Sequence, residues 1–246
     1  VSGACRPQCC PHFLAPLFAN HDRSAIESFA YSSVARADET TARLRGLIDH
    51  WRPIDGASDG QAADMVDADG IDILVDLAGY SRGGRLGLFQ MRPAPVQIAW
   101  LGYAATTGIA AMDYRVTDAI ADPEGGAQRL HTETLIRLAG GFHCYLPPAA
   151  APEVVASPMA ANGFVTFASF NNLAKINAKV VAVWAAVLGA VPDSRLLLKG
   201  QGLHQGPVRD RLLAAFESQA IAAARIEALA WVPREQNPMG LYGRAD

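Results

Sequence analysis

Short apolar runs rich in Val, Ile and Leu alternate along the chain with longer stretches of helical periodicity, the mark of a parallel sheet covered by helices. The pattern predicts strands at 28–32, 73–77, 96–101, 114–117 and 135–138, with helices at 12–18, 39–48, 61–66 and 85–90 between them. The Asp69-Gly70 pair ends one helix, and the near-continuous apolar run 71–77 then reads as a strand at a sheet centre, buried on both faces. Further on, strands are expected at 165–170, 195–199 and 226–232, separated by helices at 178–190 and 208–223. That βαβαβ series is half of a nucleotide-binding fold. Between the two halves, Pro147, Pro148, Pro152 and Pro158 stand among alanines with little periodicity, which reads as a linker. The expected architecture is α/β: an N-terminal lobe at 1–146, a linker at 147–162 and a second lobe at 163–246. The last residues read as the start of another strand-helix unit, so both lobes are expected to be incomplete.

Composition fits that picture. The 246 residues suit two lobes of ordinary size, and half are hydrophobic with 18% charged, enough for packed cores and too apolar for general disorder. With 21 Lys and Arg against 24 Asp and Glu, the net charge is -3, which offers no electrostatic footprint for nucleic acid or an anionic membrane. The longest apolar run, 180–191, is shorter than the roughly 20 residues that span a bilayer. The chain opens without the basic-then-apolar pattern of a signal peptide, so a cytoplasmic location is expected. Four cysteines, three of them at Cys5, Cys9 and Cys10, are no disulfide framework, and reduced thiols are expected.

Two stretches carry candidate chemistry. Phe170-Asn171-Asn172-Leu173-Ala174-Lys175 lies at the end of a strand and just before a helix. In open α/β sheets ligands bind there, and a helix N-terminus offers unpaired N–H groups and a positive dipole end to an anion. Lys175 adds a mobile positive charge, and Asn172 can both donate and accept hydrogen bonds. A solvated loop lysine beside turn asparagines is the structural alternative. The second stretch runs through Leu101-Gly102-Tyr103 into Thr106-Thr107-Gly108, where a strand opens into a small, hydroxyl-rich loop suited to a close backbone approach to a polar ligand. An ordinary turn is the alternative there. No G-x-G-x-x-G follows either first strand and no G-x-x-x-x-G-K-[ST] occurs, so dinucleotide dehydrogenases and P-loop enzymes lose their main support.

No metal site is expected. Cys5, Cys9, Cys10 and His12 lack a C-x-x-C clip, and Asp67-Ala68-Asp69 closes a helix, which makes a solvated helix end the better reading. His131 and His143 read as loop or core packing.

The strings Gly70-Ile71-Asp72-Ile73-Leu74-Val75-Asp76-Leu77, residues 92–103, Met112-Asp113-Tyr114 and residues 169–175 together resemble the catalytic region of protein O-GlcNAc transferases, glycosyltransferase family 41. The similarity covers nearly the whole chain, in order. It implies a GT-B arrangement of two Rossmann-like lobes, with UDP-GlcNAc as donor substrate and Ser or Thr hydroxyls of proteins as acceptors. It also implies inversion and no required metal or other cofactor. Carried over by position, Lys175 resembles the lysine that meets the UDP diphosphate, and Asn172 falls where the family has a polar amide at the nucleotide. Val232-Pro233-Arg234 resembles the segment that holds uracil through backbone groups and a stacked cation, a role suited to the planar guanidinium of Arg234. Asn237 stands where many members have a histidine, and Leu101 resembles the residue bordering the sugar pocket.

The N-terminus departs from the family pattern. Val1-Ser2 and His12-Phe13-Leu14 fit it, yet Ala4 stands where the family has Asp and Gln8 where it has His. A methyl and an uncharged amide cannot take a proton, so acid–base capacity at these positions is expected to be lost and the chain to be catalytically poor. Tetratricopeptide repeats that select protein substrates in the family find no counterpart within these residues. The competing expectation is a non-catalytic remnant or interaction module of the same fold.

Overall fold

The computed structural model describes residues 1, 11–148, 151–232 and 238–246. The chain divides into two compact units, Val1–Pro147 and Pro148–Asp246.

In the first unit, α1 (Pro11–Asn20) precedes a small parallel sheet of β1 (Phe29–Ser32) and β2 (His50–Pro53), joined through α2 (Glu39–Arg45). Asp38 starts α2 by accepting from the Thr41 amide, and Ser58 and Gln61 form a reciprocal capping box on α3 (Asp59–Ala68). Four parallel strands follow in spatial order: β3 (Ile73–Asp76), β4 (Val96–Ala99), β5 (Tyr114–Thr117) and β6 (Thr134–Arg137). On the far edge of β3 the Val1 nitrogen donates to the Val75 carbonyl at 2.7 Å, and the Leu77 amide donates to the Val1 carbonyl at 3.2 Å. Among the described residues β3 is thus the end strand of the four rather than a central one, with Val1 bonded to its outer edge.

Its two faces differ, however. Leu74 and Asp76 are buried while Ile73 is 56% exposed, so the expectation of a strand buried on both faces is corrected. The cause is the placement of helices. Ala62, Ala63 and Val66 of α3, with Leu88 and Phe89 of α4 (Leu86–Gln90), pack on the face bearing Leu74 and Ala99. On the other face Leu14 and Ala15 of α1 reach only Val75 and Leu77 near the strand's end. No α-helix joins β4 to β5 or β5 to β6, so Ile73, Tyr114 and Ile136 stay partly open.

The second unit holds β7 (Thr166–Ser169), α6 (Ala178–Ala190), β8 (Arg195–Lys199), α7 (Gly206–Glu217) and β9 (Ile226–Leu229). The strands are parallel in the order β7-β8-β9, the expected βαβαβ half. Val181, Ala185 and Leu188 of α6 close over Leu196, Leu198 and Phe216. Arg225 ties this layer by donating to the carbonyls of Leu188, Val191 and Ser194. The last four residues of the expected linker form a short helix, α5 (Met159–Asn162), stopped by Gly163 at φ +75°. A 3-10 helix occupies Pro238–Arg244. Among the described residues no helix is long and apolar enough to cross a membrane.

Candidate functional site

At the carboxyl end of β7 the chain turns through Phe170 into a 3-10 turn, Leu173–Lys175. The side-chain oxygen of Asn172 caps that turn by accepting from the Ala174 amide at 3.0 Å, which leaves its NH2 group to donate. Lys175 is exposed, and its ammonium lies 3.5 Å from Asn171 Oδ1. The α-helix begins where expected, at Ala178, because Asn177 takes the cap by accepting from the Val180 amide at 3.1 Å. Lys175 therefore stands one turn ahead of the α6 N-terminus, on its own short turn.

Two groups that the sequence reading passed over lie beside this turn. Lys199, the last residue of β8, is buried, with its ammonium 5.2 Å from the Phe170 ring centroid and 4.9 Å from that of Trp231. Burial pushes its pKa down, since a charge taken from water favours its neutral form. Gly200 follows, and a Cβ there would meet the Leu173 side chain at 2.7 Å. The turn bearing Lys175 thus packs directly on the end of β8. Val232 follows Trp231 past the end of β9, while Arg234 and Asn237 lie outside the described residues. A lysine ending an apolar strand and followed by glycine was the one signal that could have marked Lys199.

In the first unit, the carboxyl ends of β3 and β4 meet. Leu101 adopts the left-handed region at φ +71°, and a Cβ on Gly102 would fall 1.9 Å from the Leu77 carbonyl oxygen. The close approach expected at this glycine is thus made to the protein's own backbone, and its small size serves packing. Tyr80 and Tyr103 meet edge-on at 5.4 Å, and the Tyr80 hydroxyl donates to the Thr107 carbonyl. The hydroxyl-rich loop beyond is tied to Glu133, which is fully buried. Its carboxylate accepts from the Thr107 amide and the Thr106 hydroxyl, both at 2.6 Å, and from the Thr107 hydroxyl. Burial opposes ionisation of Glu133, but these hydrogen bonds outweigh it and hold the carboxyl below its usual pKa. Asp76 is driven the other way: burial raises its pKa, in part offset by the amides of Ala78 and Gly79.

Ala4, Gln8, Cys5, Cys9 and Cys10 lie outside the described residues. Asp69, the second carboxylate of the D-x-D string, accepts two hydrogen bonds from Arg52 and one from Tyr31, so it is committed to the fold. Among the described residues no three His, Cys, Asp or Glu side chains gather as a metal set. His131 is held by the Ala127 carbonyl, and His143 packs at a tilt against the rings of Phe142 and Phe13.

A family model described as glycosyl transferase family 41 matches residues 3–144, more than half of the chain. The chain belongs to glycosyltransferase family 41. This family 41 chain is 41% identical over 239 residues to the tomato (Solanum lycopersicum) protein named probable UDP-N-acetylglucosamine--peptide N-acetylglucosaminyltransferase SPINDLY, covering 96% of this chain and 26% of that one. The Arabidopsis thaliana protein of the same name is 40% identical, with the same coverage. A solved structure of a Thermobaculum terrenum O-GlcNAc transferase, a lysine-to-methionine mutant, matches with a TM-score of 0.91 and 39% identity over 98% of this chain and 45% of that one. The family 41 chain thus spans about a quarter of the length of these curated relatives. Its fold is that of partial, Rossmann-like GT-B lobes.

Proposed function

We propose that this family 41 chain binds a UDP-sugar, UDP-GlcNAc in the first instance, and belongs to machinery that transfers GlcNAc to Ser or Thr hydroxyls of proteins. The observation that carries this reading is the capped turn of Asn172 to Lys175 at the carboxyl end of β7, where open α/β sheets receive ligands, in a chain of this family. The relatives' names, which specify a UDP-N-acetylglucosamine donor and a peptide acceptor, support it. In this reading Lys175 neutralises charge that develops on the departing diphosphate, Asn172 donates its NH2 group to the nucleotide, and no metal is required. Val232 and Arg234 hold the base, Asn237 lies beside it, and Leu101 borders the sugar. Ala4 and Gln8 offer no proton acceptor, so transfer by these 246 residues is slow or absent although the nucleotide binds. A cytoplasmic location belongs to the same proposal, which the free, exposed thiol of Cys144 suits.

Titration calorimetry with UDP tests this. Lys175→Ala removes one charge-assisted contact and weakens binding by about 1.5–3 kcal/mol. An unchanged affinity removes Lys175 from the site, and a wild-type chain that is folded yet binds no UDP points to the non-catalytic remnant. Thermal shifts with UDP-glucose and GDP-sugars in parallel report the donor: a larger shift with either one refutes UDP-GlcNAc.

A further inference from the structure

Lys199 is a buried cation whose close partners, among the described residues, are two aromatic rings. Its relative exposure is 7%, and among the described residues no carboxylate or hydrogen-bond acceptor pairs with it. Burial of most of a lysine side chain disfavours its charge, and ring faces at 4.9 and 5.2 Å offset only part of that. A leucine or methionine in its place would fill the same space without the penalty. The position of the charge is equally telling. Phe170, Lys199 and Trp231 stand at or just past the carboxyl ends of the three neighbouring strands β7, β8 and β9. Gly200 seats the Leu173 side chain, so the turn carrying Lys175 lies against the residue that follows Lys199. A ligand anion received at this sheet end has an exposed lysine on the turn after β7 and a largely buried one at the end of the neighbouring β8.

We propose that Lys199 is a second nucleotide-binding cation, its ammonium held between Phe170 and Trp231 to pair with a phosphate oxygen of the nucleoside diphosphate. The inference rests on the UDP-sugar reading above and adds a residue that reading did not contain. Binding of UDP and of uridine, measured by calorimetry on the wild-type chain, Lys199→Met, Lys199→Arg and Lys175→Ala, tests it. Lys199→Met lowers UDP affinity by about 10–100-fold and leaves uridine affinity unchanged, whereas Lys199→Arg, which keeps the cation, stays within a few-fold of wild type. UDP binding that is unchanged in Lys199→Met but weakened in Lys175→Ala overturns the assignment of Lys199 alone. Equal losses of UDP and uridine also overturn it, because they assign Lys199 to the fold. A wild-type chain that binds no UDP overturns both readings. Should Lys199→Met fail to fold, the wild type decides: the Lys199 Nζ resonance, assigned by its loss in Lys199→Arg, shifts with UDP and not with uridine. No shift with UDP overturns the proposal.

Discussion

Glu133→Gln isolates the one buried carboxylate on which a whole loop hangs. In the wild type, Oε1 of Glu133 accepts from the Thr107 amide and hydroxyl, and Oε2 from the hydroxyls of Thr106 at 2.6 Å and Thr132 at 3.2 Å. Glutamine keeps an acceptor for Thr107 but turns an NH2 group toward Thr106 and Thr132, whose hydroxyls must rotate to accept it. A hydrogen bond to a charged group is worth about 1.5–3 kcal/mol net, against about 0.5–1.5 for a neutral one. Converting three short bonds loses about 3 kcal/mol, and the lower cost of burying a neutral amide returns part of it, so the expected destabilisation is about 2 kcal/mol. For a chain of this size that is a fall in melting temperature of about 4–8 °C.

Urea unfolding followed by tryptophan fluorescence is the assay. Trp51 and Trp100 report the first unit and Trp184 and Trp231 the second, so loss of the first transition's midpoint alone locates the effect. The pH dependence supplies the sign. Because the folded pKa of Glu133 is depressed, its contribution is fully present above the unfolded value of about 4.3 and is lost as pH falls through the folded one. The gap between wild type and Glu133→Gln is therefore constant from about pH 8 to 6 and narrows below about pH 4. An equal midpoint at pH 7, or a gap that persists undiminished to about pH 3, refutes the reasoning.

Two glycines give opposite expectations. Gly102→Ala sets a methyl 1.9 Å from the Leu77 carbonyl oxygen, a backbone atom that cannot swing aside, and destabilises the first unit by about 1–3 kcal/mol in the same urea assay. Gly189→Ala, on the exposed side of α6 with nothing within 4 Å, stabilises the second unit by about 0.5 kcal/mol, read as a higher melting temperature.

Most of the regular structure was legible in the sequence because its signals are local. Apolar runs marked β3, β4, β7, β8 and β9, and Ser58, Asp38 and Asn177 start helices by bonding amides only a few residues away. What escaped was held by distant contacts. The strand β2 reads His-Trp-Arg-Pro, with no apolar run. It is fixed by pairing with β1, by His50 stacked on Phe29 at 4.3 Å, and by Arg52 bound to Asp69. The open face around Ile73 escaped because an apolar run reports affinity for burial, and helix placement decides which face receives it. At the candidate site, Lys175 and Asn172 were legible as a polar string after a strand. Lys199 was not, because one lysine at the end of an apolar strand gives no hint of the rings that meet it in space.

The strings that mark the family do two different kinds of work. Arg92 donates to the carbonyls of Ala111 and Pro95 and to Asp113, whose other oxygen accepts from the Gln97 amide, so two of the family strings staple one another. Gly102 lies against Leu77 in the same way. Residues of this kind are explained by the fold, and their presence says little about chemistry. Lys199 is not explained so, because among the described residues no anion pairs with it, and an apolar side chain of similar size in its largely buried place is expected to be neutral or stabilising. A binding group retained against stability shows itself as a trade between the two quantities. Lys199→Met is therefore expected to melt at or above the wild-type temperature while it loses UDP affinity. A variant in which both fall together would show that the ammonium serves the packing of Phe170 and Trp231, with no ligand needed to account for it.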